Sequence, residues 1–173
     1  QTMVRTRLTL AAATILALAP AASAQQGLND LEMAHVAVTA SNIDIAYAHL
    51  ALAFSSNPKV REFAETMIRD HTAVNAQVAA LAKKLNVTAQ DNAMSRKLLA
   101  DAERIKGELA GLRGAEFDRR YIANELAYHQ TVNGVVENTF IPAIQNAEVK
   151  AAFRAALGIF RGHEKHAGML AAK

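Results

Sequence analysis

The sequence is dominated by long stretches in which apolar residues recur every three or four positions. This spacing predicts amphipathic helices, because residues three and four apart lie on one face of an α-helix. After residue 24 the chain has only two prolines, Pro58 and Pro142, and each stands where the periodic pattern changes. No strand-like alternation bounded by turn residues occurs between them. The chain is therefore expected to be all-α.

The pattern predicts four long helices at about residues 29–55, 58–85, 115–140 and 147–171, and a short charged helix at about 93–112. On the apolar stripes of the last three long helices stand His71, His129 and His163, one on each. The stripe expected to face the core in the first long helix consists of Leu31, His35, Val38, Asn42, Ile45, His49 and Leu52.

Residues 3–24 have the features of a secretory signal peptide. Arg5 and Arg7 precede an apolar run of 11 residues, and small residues at 22–24 follow Pro20. We expect cleavage after Ala24, which makes residues 1–24 the signal peptide and 25–173 one helical domain in the periplasm or outside the cell. An uncleaved anchor is the alternative, but spanning a bilayer takes roughly 20 apolar residues.

Composition argues against several function classes. The formal net charge of +3 falls to about +1 without Arg5 and Arg7, and no Lys/Arg block occurs, so no nucleic-acid surface is predicted. The chain has no cysteine and hence no disulfide. Charged residues or histidines interrupt every apolar stretch after the leader, so no transmembrane segment is expected there. The identity of a protein partner is left open.

The segment between the second and third long helices is long enough to determine the topology. It covers about 29 residues, and its helical part would extend roughly 30 Å at 1.5 Å per residue. The second and third long helices would then run parallel. The predicted fold is a ferritin-like antiparallel four-helix bundle with a long crossover that contains the extra short helix.

Counting residues from the predicted turns places five ionisable side chains at one depth. Asp44 lies about as far before the turn at Asn57 as His71 lies after it. In the second pair of long helices, Glu125 and His129 likewise lie about as far before a turn near Ile144 as His163 lies after it. The predicted mid-bundle layer consists of Asp44, His71, Glu125, His129 and His163.

Two carboxylates and three imidazoles inside a bundle are costly unless they are paired or bound to an ion. One interpretation is a hydrogen-bonded polar network that determines helix register. The other is a metal site formed by all five residues, because imidazole together with carboxylate suits zinc, copper or iron.

The leading functional hypothesis is a non-enzymatic exported protein whose polar layer is structural or binds one divalent metal, in envelope stress or metal handling. A ferritin-like metal-dependent oxidase and a purely structural or partner-binding bundle are the alternatives. Dinuclear iron bundles use two Glu-x-x-His motifs and two further glutamates. The only such motif here runs from Glu32 to His35, outside the layer.

Three segments resemble motifs of a bacterial family: SSNPKVREFA at 55–64, MIRDHT at 67–72, and FDRRY at 117–121 followed by His129. Over about residues 31–170 the chain is similar to the domain of unknown function numbered four-one-four-two, members of which are often labelled outer-membrane proteins. The resemblance implies a ferritin-like fold, an envelope location and no established activity. The family's typical histidines map onto His71, His129 and His163. The family often has Glu where this chain has Asp44, whose shorter side chain reaches less far into the layer.

Overall fold

All regular secondary structure between residues 27 and 172, the part of the chain that the computed structural model describes, is helical. The predicted all-α class is therefore confirmed for these residues, whereas the predicted signal peptide lies outside them. The helices are α1 (Asp30–Phe54), α2 (Pro58–Leu85), α3 (Ala93–Ala110), α4 (Gly114–Val135), α5 (Ile141–Ala143) and α6 (Ala147–Ala171), with a π-helix (Val136–Phe140) between α4 and α5.

Asparagine side chains begin four of these helices. Each accepts one or two hydrogen bonds from backbone N–H groups of the first turn, which have no partner within the helix. These N-cap residues are Asn29, Asn57, Asn92 and Asn146. Pro58 occupies the first position of α2, where its missing N–H group is harmless.

Contacts along α1 show in which direction each of the other helices runs. The amide of Asn92, before α3, donates to the carbonyl of Glu32 near the start of α1 at 3.0 Å. Leu109, near the end of α3, packs in the same cluster as Phe54, the last residue of α1. Because α3 therefore runs beside the whole of α1, α2 and α4 point in the same direction. The helices α1, α2, α6 and α4 form a cycle in which each packs against the next.

The turn before α6 is tied to the start of α1. The carboxylate of Asp30 accepts the backbone N–H of Gln145 at 2.9 Å and that of Asn146 at 2.8 Å. These bonds join two segments that lie more than a hundred residues apart in sequence.

Two apolar clusters fill the interior on either side of the polar residues. The larger is built around the ends of α1 and α6 and the starts of α2 and α4, and includes Tyr47, Phe63 and Phe117. The smaller lies around the start of α1, the π-helix after α4 and the start of α6, and includes Met33, Phe140 and Phe153. Along α4 and α6 the ionisable residues of the predicted layer come between buried residues of the two clusters.

The predicted core stripe of α1 was wrong. Asn42 and His49 are exposed, whereas Met33, Ile43 and Tyr47 are buried. The reason is that α1 packs against α2, α3 and α4 and is apolar on most of its circumference. Periodicity in such a helix does not identify a single buried face.

The helix predicted for residues 115–140 is interrupted. Its α-helical part ends at Val135, and the π-helix that follows leads into Pro142. Proline cannot donate to the carbonyl four residues earlier and its ring clashes with that carbonyl. The widened turn, in which the N–H of Ile141 donates to the carbonyl of Val136, precedes this position.

Among the described residues one helix, α1, is long and apolar enough to cross a membrane by length and composition, with a mean hydropathy of 1.3 in its most apolar window. Half of that window is buried inside the protein, and the core helix of a folded domain passes the same test. The expectation that no segment after the leader could span a membrane is thus not confirmed.

Candidate metal centre

The structure brings the five residues of the predicted layer together. α1 supplies Asp44, α2 supplies His71, α4 supplies Glu125 and His129, and α6 supplies His163. The two carboxylate residues are 0% exposed and none of the three histidines is more than 5% exposed. Each therefore interacts with protein groups and hardly with solvent.

The three histidine rings face one another across the layer. Their centroids are 5.3 Å apart for His71 and His163, 5.5 Å for His129 and His163, and 5.8 Å for His71 and His129. Each ring offers one nitrogen such that the three nitrogens lie within 4.8 Å of one another. Three nitrogens at this spacing are close enough to surround one small cation.

One nitrogen of each ring is held by a neighbour. His71 Nδ1 lies 2.7 Å from the hydroxyl of Ser41. His129 Nδ1 donates to the carbonyl of Glu125 at 2.9 Å, and His163 Nε2 donates to the carboxylate of Asp70 at 2.9 Å. Such outer contacts orient a histidine ring and determine which nitrogen is left for a ligand.

The other nitrogen of each ring has no hydrogen-bond partner among the described residues. These are His71 Nε2, His129 Nε2 and His163 Nδ1. Buried polar atoms normally find partners, so three such atoms in one place need an explanation. A bound cation would engage all three.

Phe160 closes one side of the site. Its ring stacks on that of His71 at a centroid distance of 4.4 Å and an interplanar angle of 10°. The stacking limits rotation of the imidazole and keeps its surroundings apolar.

Asp44 touches two of the histidines. Its Oδ2 atom lies 2.5 Å from His71 Nε2 and 3.4 Å from His129 Nε2, yet the directions of these contacts do not make either a hydrogen bond. Burial raises the pKa of Asp44, but its contact with His71 outweighs burial and lowers the pKa to about 2. Asp44 is therefore an anion at neutral pH.

Glu125 behaves in the opposite way. Burial and the nearby charge of Asp44 raise the pKa of Glu125 well above its usual range, which favours its neutral form. Ligand-capable atoms of Asp44, Glu125 and His129 also lie within 4.8 Å of one another. His129 thus belongs to two groups of potential ligands.

The histidines of α4 and α6 are neutral at neutral pH. Burial lowers the pKa of His129, against the opposing charge of Asp44. Burial also lowers the pKa of His163 to about 4, although the hydrogen bond from its ring to Asp70 raises it. Neutral imidazole is the form that ligates metal ions.

Three residues at the site were not identified from the sequence. Ser41, Asp70 and Phe160 hold the rings of His71 and His163 by hydrogen bonds and stacking. Two of them carried a usable signal: Ser41 stands three positions before Asp44 on the same helical face, and Asp70 directly precedes His71.

The Glu-x-x-His motif of α1 lies apart from this centre, as its position in the sequence indicates. Glu32 accepts the backbone N–H of Asn29 at 2.9 Å and so serves to cap the helix. His35 Nδ1 lies 4.0 Å from Asp91 and 3.5 Å from the hydroxyl of Thr39. Neither residue contributes to a ligand group with the five residues of the layer.

Taken together, the fold and the site define an all-helical protein with histidines and carboxylates buried at mid-length. The chain belongs to the family described as Domain of unknown function (DUF4142), which matches residues 16–170. The family resemblance drawn from the sequence motifs is therefore confirmed. No curated protein and no solved structure gives a significant match to the chain.

Proposed function

We propose that the protein binds one divalent transition-metal ion through His71, His129 and His163, with Asp44 as the fourth ligand. The observation that carries this proposal is the meeting of three buried imidazole rings: each brings one nitrogen within 4.8 Å of those of the other two, while a neighbouring group holds one nitrogen of each ring. The alternative is a purely structural polar network.

A structural network accounts less well for these contacts. In a network the buried atoms would be paired, because leaving a buried donor or acceptor unsatisfied costs about 1–3 kcal/mol. Here the inner nitrogens of His129 and His163 lack hydrogen bonds among the described residues, whereas Asp44 keeps the neutral carboxyl of Glu125 as a partner.

The donor set favours zinc, with copper as the next candidate. Zinc takes four ligands from histidine nitrogens and carboxylate oxygens in a tetrahedral arrangement. Imidazole-rich sites also suit copper, whereas mononuclear iron sites commonly use two histidines and one carboxylate.

Zinc titration of the purified metal-free protein, followed by calorimetry and elemental analysis, tests the proposal. We expect about one equivalent to bind, and His71→Ala to weaken binding at least about 100-fold because a ligand is lost. His49→Ala is the matched control, since His49 is exposed on α1. Absence of binding, or equal binding by the His71→Ala protein, would contradict the proposal.

A dinuclear iron centre of the ferritin-like oxidase type is the second candidate. It is favoured by the second ligand group, in which Asp44 and Glu125 share His129 with the three-histidine group. The helix directions support a ferritin-like arrangement, because α3 crosses beside α1 and leaves α2 and α4 parallel. Binding of two iron equivalents under anaerobic conditions in the same titration would favour this candidate over a single zinc.

We also propose that the protein acts in the periplasm. The support is the basic, apolar and small-residue succession of residues 3–24, which is typical of secretory signal peptides. Envelope metal handling is the role that such a location and such a donor set would suit.

A further inference from the structure

An apolar cavity of about 90 Å³ lies between α1, α2, α4 and α6 and extends from the histidine layer towards the end of α2. Its inner end is lined by Ser41, His71 and His129, and its outer end reaches Leu85 and Val87. The cavity therefore begins at two of the three imidazole rings of the layer.

Small side chains explain why the four helices leave this space. α1 contributes Ala34 and Ala37 to the wall, and α6 contributes Ala152 and Ala156, at positions where longer aliphatic side chains would fill the centre of the bundle. α2 adds Val74 and further aliphatic side chains. The wall beyond the inner end is thus almost entirely hydrocarbon.

Water is a poor occupant of the hydrocarbon part of the cavity. A buried water molecule needs about two to four polar partners, and apolar cavities stay dry for lack of them. Aliphatic side chains offer no such partner, and the backbone N–H and C=O groups inside the surrounding helices are paired within those helices. The polar side chains of Ser41, His71 and His129 lie together at one end. The occupant expected along the wall is therefore apolar.

The volume of the cavity selects among apolar occupants. An apolar cavity of about 150 Å³ binds benzene or xenon. The present cavity has about three-fifths of that volume, which excludes a ring or a long alkyl chain and leaves room for a molecule of a few atoms. A diatomic gas meets the requirements of both size and polarity.

Dioxygen is the diatomic gas for which the position of the cavity has a chemical consequence. His71 and His129 are two of the three histidines proposed as metal ligands, so a molecule at the inner end would lie beside the bound ion. Zinc has no redox chemistry, whereas copper and non-haem iron centres carry out the reactions of dioxygen in proteins.

We infer that this cavity binds dioxygen and admits it to the face of the histidine layer that His71 and His129 form. Binding of the gas depends only on the volume and the apolar wall. Its use rests on the proposed metal site, occupied by iron or copper. Val87, at the outer end, is 37% exposed, which gives the gas a route from solvent.

Paramagnetic relaxation by dioxygen tests the inference on the purified metal-free protein. Dissolved dioxygen speeds the relaxation of the methyl protons that it approaches. Val74, Ile43 and Ile122 are buried to a similar degree, at 7%, 5% and 4% exposure, but of the three only Val74 lines the cavity. When nitrogen above the sample is replaced by dioxygen, we expect the methyl relaxation rate of Val74 to rise several times as much as those of Ile43 and Ile122.

A pair of neighbouring variants locates the gas. Ala156 lines the cavity, whereas Ala155 is exposed on the same turn of α6. Ala156→Leu should fill the space and abolish the excess relaxation at Val74, and Ala155→Leu should retain it. Unchanged methyl chemical shifts of Ile43 and Ile122 show that both variants are folded. Independently of either variant, a wild-type crystal under xenon pressure should contain a xenon atom in contact with Val74.

The outcomes distinguish this inference from the proposed function, because no metal takes part in the relaxation measurement. Equal effects of dioxygen on Val74 and Ile43 in the wild type, or an excess at Val74 that persists in the Ala156→Leu protein, overturns the inference and leaves the metal site standing. Protein that takes up neither iron nor copper overturns the use of the gas, and protein that takes up no metal at all overturns the proposed function as well. In both cases excess relaxation at Val74 still supports the gas site.

Discussion

Two features of its surroundings shift the pKa of the His163 imidazole in opposite directions. Burial disfavours its charged form and lowers its pKa to about 4, although the hydrogen bond to Asp70 favours that form. The ring is consequently neutral over the pH range in which an exposed histidine gains its proton. This single property links the stability of the folded chain to its ability to hold a metal.

In the metal-free protein, the free energy of unfolding should fall as the pH is lowered from about 6.5 to about 4. Over this window the unfolded chain protonates His163 but the folded chain does not, so acid favours unfolding. The lowered pKa of His163 corresponds to a loss of about 3 kcal/mol. Urea denaturation at a series of pH values measures it.

His163→Asn should flatten this pH dependence, whereas His49→Asn, at an exposed position, should leave it unchanged. Identical slopes for the wild type and the His163→Asn protein would show that another group is responsible.

At the site, counting residues from turns predicts depth along the bundle but not the direction of a side chain. Depth was enough to group Asp44 with His71 and His163. The contacts of Ser41 and Asp70 depend on rotamers and on how neighbouring helices are rotated, and neither quantity can be counted from the sequence. The orienting partners therefore became visible only in the structure.

In the α3–α4 segment, two glycines are expected to change the free energy of unfolding in opposite directions when each is replaced by alanine. Gly107 lies inside α3 with nothing within 4 Å of an added Cβ atom. Gly114 has equal space but a φ of +56°, which strains any residue with a side chain. Gly107→Ala should raise the free energy of unfolding by about 1 kcal/mol, and Gly114→Ala should lower it by about 1 kcal/mol. Thermal and urea denaturation measure both, and a change of the same sign in the two variants would contradict the assignment.

Elements with strong local signals were predictable to the residue. The bounds of α2 and α6 agree with the prediction, because Asn57-Pro58 and Asn146 supply clear starting positions. The rotation of α1 was not predictable, since its apolar residues serve contacts with three helices. The π-helix before Pro142 was equally hidden, because proline predicts a disturbance but not the form that it takes.

On the scale of the whole molecule, the polar layer divides one interior into two apolar clusters. The chain has no cysteine, so packing of these clusters has to stabilise it without disulfides. If the domain is exported as proposed, it therefore has to be stable outside the cytoplasm by packing alone.

Export is tested by the fate of the N-terminus during expression. We expect periplasmic protein that begins at Gln25, determined by mass spectrometry. Ala24→Leu should block cleavage, because signal peptidase requires small side chains at this point, and should leave a longer membrane-associated form. Ala11→Leu keeps the apolar run and should be processed normally. Uncleaved wild-type protein in the membrane fraction would argue for an anchor instead.

The bonds from Asp30 to the turn before α6 have a consequence for the distant histidines. His163 stands 17 residues beyond Asn146, or about 26 Å along the helix. The turn is fastened to the start of α1, the helix that also carries Asp44. The depths of His163 and Asp44 along the bundle axis are therefore both determined from the same end of the molecule. The hydrogen bonds of Asp30 at this end thus help to bring the side chains of Asp44 and His163 to the same depth at the middle of the bundle.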